Sequence, residues 1–178
     1  MIEIAIHGRG GQGAVTASQI LAMAFEEQGI RAQAFPQFGT ERTGSPVKSF
    51  VRASRREIKI KAPVTLADYS IVIDPTLINT VNIVDATKPR GTIVVNTKNA
   101  LSNISKKHRV ICIDVNEIAK SIFARGANVG LLGAFVASTR VLQIKSLTAA
   151  ISTRFPRFVK ENQQVAERVY EIVRKELV

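Results

Sequence analysis

Ile2-Glu-Ile-Ala-Ile-His7, then Gly8-Arg-Gly-Gly-Gln-Gly13, then Ala14-Val-Thr-Ala-Ser-Gln-Ile-Leu-Ala-Met-Ala-Phe25 is the stretch that decides the fold. Ile2, Ile4 and Ile6 recur at every second position, the period of a strand with one buried face. Glycines 8, 10 and 13 interrupt that pattern, and Ala14, Ala17, Leu21, Ala24 and Phe25 continue at helical spacing. Gly29 suits the position just past a helix end, and Arg31-Ala-Gln-Ala-Phe35 reads as a second short strand stopped by Pro36. The opening unit is therefore β-α-β.

Residues 36–46 hold two prolines and two glycines with hydroxyls and charges between them, the composition of a surface loop. Val47 to Ala53 and Glu57 to Lys61 alternate around Ser54-Arg55-Arg56, which predicts an antiparallel hairpin added to the sheet. Ser70 to Ile73 is a short apolar strand closed by Asp74-Pro75, a helix start, with a weak helix over 76–86 and a turn at 89–91. Thr92 to Asn96 and Arg109 to Ile113 are short runs rich in β-branched residues, expected in the sheet's centre. Helices are expected over about 115–124, 127–142 and 146–154, and from about 159 onward. The last is amphipathic, with Val165, Val169, Ile172, Val173 and Leu177 on one face. The expected architecture is a three-layer α/β domain over residues 1–178, with a mixed, mainly parallel sheet, helices on both faces and the added hairpin.

Composition agrees. Of 178 residues, 46% are hydrophobic and 22% charged, enough to bury a core and too apolar for a disordered chain. No apolar run reaches the roughly 18 residues of a membrane span, and Met1 leads straight into an alternating strand, so a cytoplasmic protein without membrane partners is expected. Cys112 is the single cysteine; an internal disulfide is excluded, and so are the four thiolates an iron–sulfur cluster takes. It sits mid-strand and reads as core. His7 and His108 are the only histidines, too few for a histidine-rich metal site, and each reads as a satisfied structural residue. No metal is assigned and no catalytic nucleophile is evident.

The net charge of +11 favours anionic partners, and it is local: residues 31–61 carry eight cations against Glu41 and Glu57. A solvated basic face is the plainer reading of this excess. A nucleic-acid-binding module is a weaker one, because tryptophan is absent, aromatics are 6% and no base-reading motif is present. Gly8 to Gly13 satisfies G-x-G-x-x-G between a strand and a helix, where backbone N–H groups meet phosphate. Alternatively the glycines only permit a tight turn. A stand-alone dinucleotide-binding protein of the NAD(P) type would need an acid at the end of the second strand, and Phe35-Pro36-Gln37 stands there instead. Gly39 to Ser45 adds hydroxyls and Arg42, suited to grip a phosphate or carboxylate, and both loops should share the C-terminal edge of the sheet. An Arg42–Glu41 pairing, or one of Arg42 with an aspartate, that stiffens the loop is the alternative.

Gly8 to Ala22 resembles the gamma subunit of 2-oxoacid:ferredoxin oxidoreductases, the pyruvate enzyme especially. Phe38-Gly-Thr-Glu-Arg-Thr-Gly-Ser-Pro-Val47 is similar to that family's Phe-Gly-x-Glu-Arg-x-Gly-x-Pro segment, and Ile73-Asp-Pro-Thr-Leu77 to its Asp-Pro-Ser/Thr-Leu strand end. Asn128 to Phe135 and Glu161-Asn162 follow in the expected order. The resemblance implies a complex that oxidatively decarboxylates a 2-oxoacid with coenzyme A and reduces ferredoxin. It implies alpha, beta and delta partner subunits, with thiamine diphosphate and the iron–sulfur clusters on those partners and coenzyme A as a shared ligand of this chain. By the same resemblance, Gly8, Arg9, Gly10, Gly11, Gln12 and Gly13, with Thr40, Glu41, Arg42 and Thr43, are the expected cofactor-binding residues. Thr43 stands where relatives often have arginine and Ser45 where alanine is common. Phe38-Gly39 and Gly44-Ser45-Pro46 favour pyruvate, or a branched-chain 2-oxoacid, over 2-oxoglutarate.

Overall fold

In the computed structural model, which describes residues 1–37, 44–60, 62–101 and 104–177, the opening stretch forms β1 (Ile2–Arg9) and α1 (Ala14–Glu26). After them come β2 (Arg31–Gln37), β3 (Pro46–Ser54), β4 (Ala67–Val72), β5 (Thr87–Asn96) and β6 (Arg109–Ile113). Four helices complete the chain: α2 (Val115–Lys120), α3 (Ala127–Thr139), α4 (Ile144–Arg154) and α5 (Val159–Glu176). One six-stranded sheet runs in the order β2-β3-β1-β4-β5-β6. β1, β4, β5 and β6 are mutually parallel, whereas β3 is antiparallel to both β1 and β2. The sheet is mixed and mainly parallel, as expected.

The hairpin differs from its expectation. β3 pairs with β2 and not with residues 57–61, and Glu57 to Ile60 form no strand; Lys61 lies outside the described residues. Arg52, on the face of β3 opposite α1, explains why. Its guanidinium is buried, donates to Glu3 Oε1 at 2.9 Å, and takes the Ile60 and Ala62 carbonyls at 3.1 and 2.6 Å. A buried guanidinium must be hydrogen-bonded, so this stretch turns its carbonyls to Arg52. β6 is an edge strand, not a central one, and Cys112 is only half-buried. The turn expected at 89–91 is a bulge inside β5, because pairing with β4 jumps from Thr87 to Thr92 while Ala67 and Tyr69 are two apart. In place of the weak helix over 76–86 stands a short 3-10 helix, Pro75–Asn79, capped by Asp74 through its bond from the Thr76 amide at 3.0 Å.

The buried residues of all five α-helices share one core with Ile4, Ile6, Ile71 and Val94 on one face of the sheet. The other face is covered more thinly, by Leu77 of the 3-10 helix and Ile83 against Val72, Ile93 and Val95. α3 lies at the centre, buried continuously from Val129 to Ser138 between sheet and outer helices. Phe135 stands edge-on to Tyr69 of β4 at a centroid distance of 5.6 Å. Burying a ring of this size contributes about 2–3 kcal/mol. This core fixes the N-termini of α1 and α3 beside the C-terminal ends of the strands.

Candidate functional site

β1 leaves the sheet at Arg9, and the chain turns through Gly11 and Gly13, whose φ angles are 91° and 82°. Gly13 sits where a side chain would be strained. It is left-handed, and a Cβ there would collide with the Asn128 side chain in the first turn of α3. This close approach joins the start of α1 to the start of α3. The first amides of an α-helix have no partner inside it, and neither helix has a side-chain cap or an acid in its first turn. Two positive helix ends therefore converge, and among the described residues neither has an acid in its first turn.

Between them lies a cleft of about 380 Å³. Gly11, Gln12 and Gly13 form one side, Asn128 and Arg125 the other, and Ile73, Asn96 and Asn116 the floor and far wall beyond β4, β5 and β6. This is the edge where ligands of open α/β sheets collect, at the point where the chain switches from one side of β1 to the other. Asn96 is structural: its Oδ1 accepts from the Val115 amide at 3.0 Å, and its Nδ2 donates to the Ile73 carbonyl at 3.2 Å. Arg125 is exposed, and among the described residues no hydrogen bond or ion pair engages it.

The six glycine-loop residues expected from the sequence are together at this edge, but their roles divide. Arg9 spends each guanidinium nitrogen on the protein: Nε on Asp74 at 3.1 Å, one terminal nitrogen on the Gly44 carbonyl at 3.0 Å, the other on Thr76 Oγ1 at 2.8 Å. Gln12 folds inward as well, accepting from the Arg9 amide at 2.8 Å and donating to Asp74 at 3.0 Å. Burial pushes the Asp74 carboxyl up, but the bonds from Thr76 and Gln12 and the Arg9 charge outweigh it and hold the group below its ordinary value. Arg9 and Gln12 thus act as struts between loop and sheet. What they leave facing the cleft is backbone from Gly11 to Gly13.

Thr40, Glu41, Arg42 and Thr43 lie outside the described residues. The end of their loop is clamped onto the glycine loop, with the Gly10 amide donating to the Ser45 carbonyl at 2.9 Å and the Gly44 amide to Gly10 at 3.4 Å. Both loops therefore meet at one edge. Arg125 and Asn128 also line the site, although neither is among the residues expected there from the sequence. Arg125-Gly126 immediately before the helix of Asn128 was the available signal, a cation and a small residue at a helix start. The dinucleotide alternative fails on topology as well as on the missing acid, because antiparallel β3 occupies the place beside β1 where that fold puts a parallel second strand.

His108 is satisfied, bonded to Ser105 and to the Thr87 carbonyl. His7 is not. It is buried on β1, and among the described residues neither ring nitrogen has a partner, contrary to the expectation of a satisfied residue. Burial, with Lys48 alongside, lowers its pKa from 6.5 to about 3, so the ring is neutral.

Residues 3–172 match the family model of pyruvate ferredoxin/flavodoxin oxidoreductase. The chain belongs to that family. Among oxidoreductase family members it is similar to the pyruvate synthase subunit PorC of Methanosarcina barkeri, 43% identical over 154 residues and 85% of each chain. It is 39% identical over 178 residues to the common gamma subunit of the pyruvate/ketoisovalerate oxidoreductases of Thermococcus litoralis, covering 96% of both. Its fold matches the crystal structure of the pyruvate oxidoreductase subunit PORC from Thermotoga maritima with a TM-score of 0.81 and 35% identity, over 96% of this chain and 95% of that one.

Proposed function

We propose that this chain is the gamma subunit of a pyruvate:ferredoxin-type oxidoreductase and supplies an anion-binding cleft to it. In the complex, a 2-oxoacid and coenzyme A become acyl-coenzyme A and carbon dioxide, and two electrons pass to ferredoxin. Thiamine diphosphate and the iron–sulfur clusters belong to the alpha, beta and delta partners on this reading. A chain with one cysteine cannot ligate a four-thiolate cluster.

The observation that carries the cleft's role is the pair of uncapped helix ends beside Arg125. The amides of Gly11 and Gly13, with those in the first turns of α1 and α3 that the protein leaves undonated, suit a diphosphate, and Arg125 adds a full charge. The Gln12 amide donates to the Arg9 carbonyl at 3.0 Å and the Val129 amide to the Asn128 side chain at 2.9 Å, so both are already occupied. The cleft's volume accommodates the diphosphate end of coenzyme A and leaves the thiol arm to reach a partner's active centre. Arg42, with Thr40, Glu41 and Thr43, completes the grip from the second loop. The residues of this chain perform no bond-making step. They hold the phosphates, fix the thiol's approach and so contribute positioning to the reaction. The Thermococcus litoralis relative, named as common to pyruvate and ketoisovalerate enzymes, suits a subunit that does not itself select the 2-oxoacid.

The test is omission and add-back. The other subunits are prepared anaerobically without this chain and assayed for pyruvate- and coenzyme-A-dependent ferredoxin reduction before and after it is added. Activity restored in proportion to added chain supports the reading. Full activity without the chain contradicts it.

A further inference from the structure

Two of the aromatic pairs are internal to the fold, Phe35–Phe50 and Tyr69–Phe135, whereas the third opens to solvent. Phe158 stacks on Phe123 with centroids 5.2 Å apart and planes 24° apart, and it remains 54% exposed. Its backbone is left-handed, φ 56° and ψ 34°, a conformation that costs a bulky residue about 1 kcal/mol or more. The carbonyl of Phe158 is held there by buried Asn162, which donates to it from its own amide at 3.1 Å and from its side chain at 2.7 Å. A helix start that needed only this turn would be served better by glycine or asparagine. The fold therefore bears strain to keep an aromatic ring at the surface.

The ring's setting says what it meets. Arg157 and Lys160 flank it, both exposed, and Phe123 leads within two residues to Arg125 on the rim of the cleft. An aromatic ring beside an arginine has the composition of an interface anchor, and the exposed Arg157 and Lys160 select an acidic counterpart. We propose that the Phe123–Phe158 stack is the docking point for another subunit of the same oxidoreductase, one presenting an apolar socket bordered by carboxylates. Seated there, that subunit covers the rim at Arg125 and closes the cleft from outside. This inference rests on the gamma-subunit reading.

The test measures association of the chain with the other subunits of its oxidoreductase by sedimentation, comparing the unaltered chain with Phe158→Asn and Arg157→Glu. Asparagine tolerates the left-handed backbone, so the isolated Phe158→Asn chain keeps its melting temperature within a few degrees while association weakens by about tenfold or more. Arg157 is exposed, and Arg157→Glu weakens association most at low salt without touching the fold. Association of both variants within twofold of the unaltered chain overturns the docking point and leaves the subunit reading intact. If the unaltered chain itself does not associate, both fall.

Discussion

Arg9 and Arg125 divide the work of cations at the glycine loop. Arg9 is tied to Asp74, Thr76 and Gly44, so Arg9→Ala removes bonds that hold β1, β4 and the second loop together. Its expected effect is a loss of about 2 kcal/mol in urea unfolding. Arg125→Ala leaves that stability within about 0.5 kcal/mol, since the side chain is exposed and among the described residues makes no hydrogen bond or ion pair. His7 makes a prediction of opposite kind. The unfolded chain protonates this ring near 6.5 and the folded chain near 3, so between those values the unfolded state binds the extra proton. Stability must then fall as pH falls, by about 2 kcal/mol between pH 7 and pH 5. Unfolding curves of the native chain and His7→Leu at several pH values check this. The native curve should carry the additional slope, and parallel curves would show that His7 titrates alike in both states.

At the scale of elements, the contact of α3 with α5 is set by small residues. Gly133 lies against the backbone of Ala166, where a Cβ has no room, and Gly130 lies against Val115, Val165 and Val169. Gly133→Ala should therefore destabilise by at least about 2 kcal/mol despite alanine's better helix propensity, since overpacking outweighs that gain. Thermal unfolding measures it; an unchanged melting temperature would mean that the helices can part. Most elements were legible in the sequence because local pattern and tertiary role agree in them. Ile4, Ile6, Leu21 and Phe25 bury on the faces their spacing indicates. The false strand at 57–61 alternates as well as β3 does, but Arg52 claims the carbonyls of Ile60 at its end and of Ala62 just beyond, a tertiary demand no local window contains. β6 reads as central because it is apolar, yet nothing in its five residues tells that the sheet ends there. In the site, the glycines were visible and the occupation of Arg9 was not, because Asp74 lies sixty-five positions away.

The whole molecule is a positively charged domain in which Arg31, Arg52, Arg55 and Arg56 stand toward one edge of the sheet, while the starts of α1 and α3 and Arg125 meet at the opposite, C-terminal edge. Its net charge of +11 suits both an anionic ligand there and acidic partner surfaces around it. No helix among the described residues is long and apolar enough to cross a membrane. On this account the chain contributes to the oxidoreductase through phosphate binding and assembly, and its residues should affect the coenzyme A step more than the 2-oxoacid step. Steady-state kinetics of the reconstituted complex carrying Arg125→Ala test that most directly. Loss of a charge-assisted phosphate contact should raise the KM for coenzyme A about tenfold and leave the KM for pyruvate unchanged. A KM for coenzyme A equal to that of the unaltered complex would contradict it.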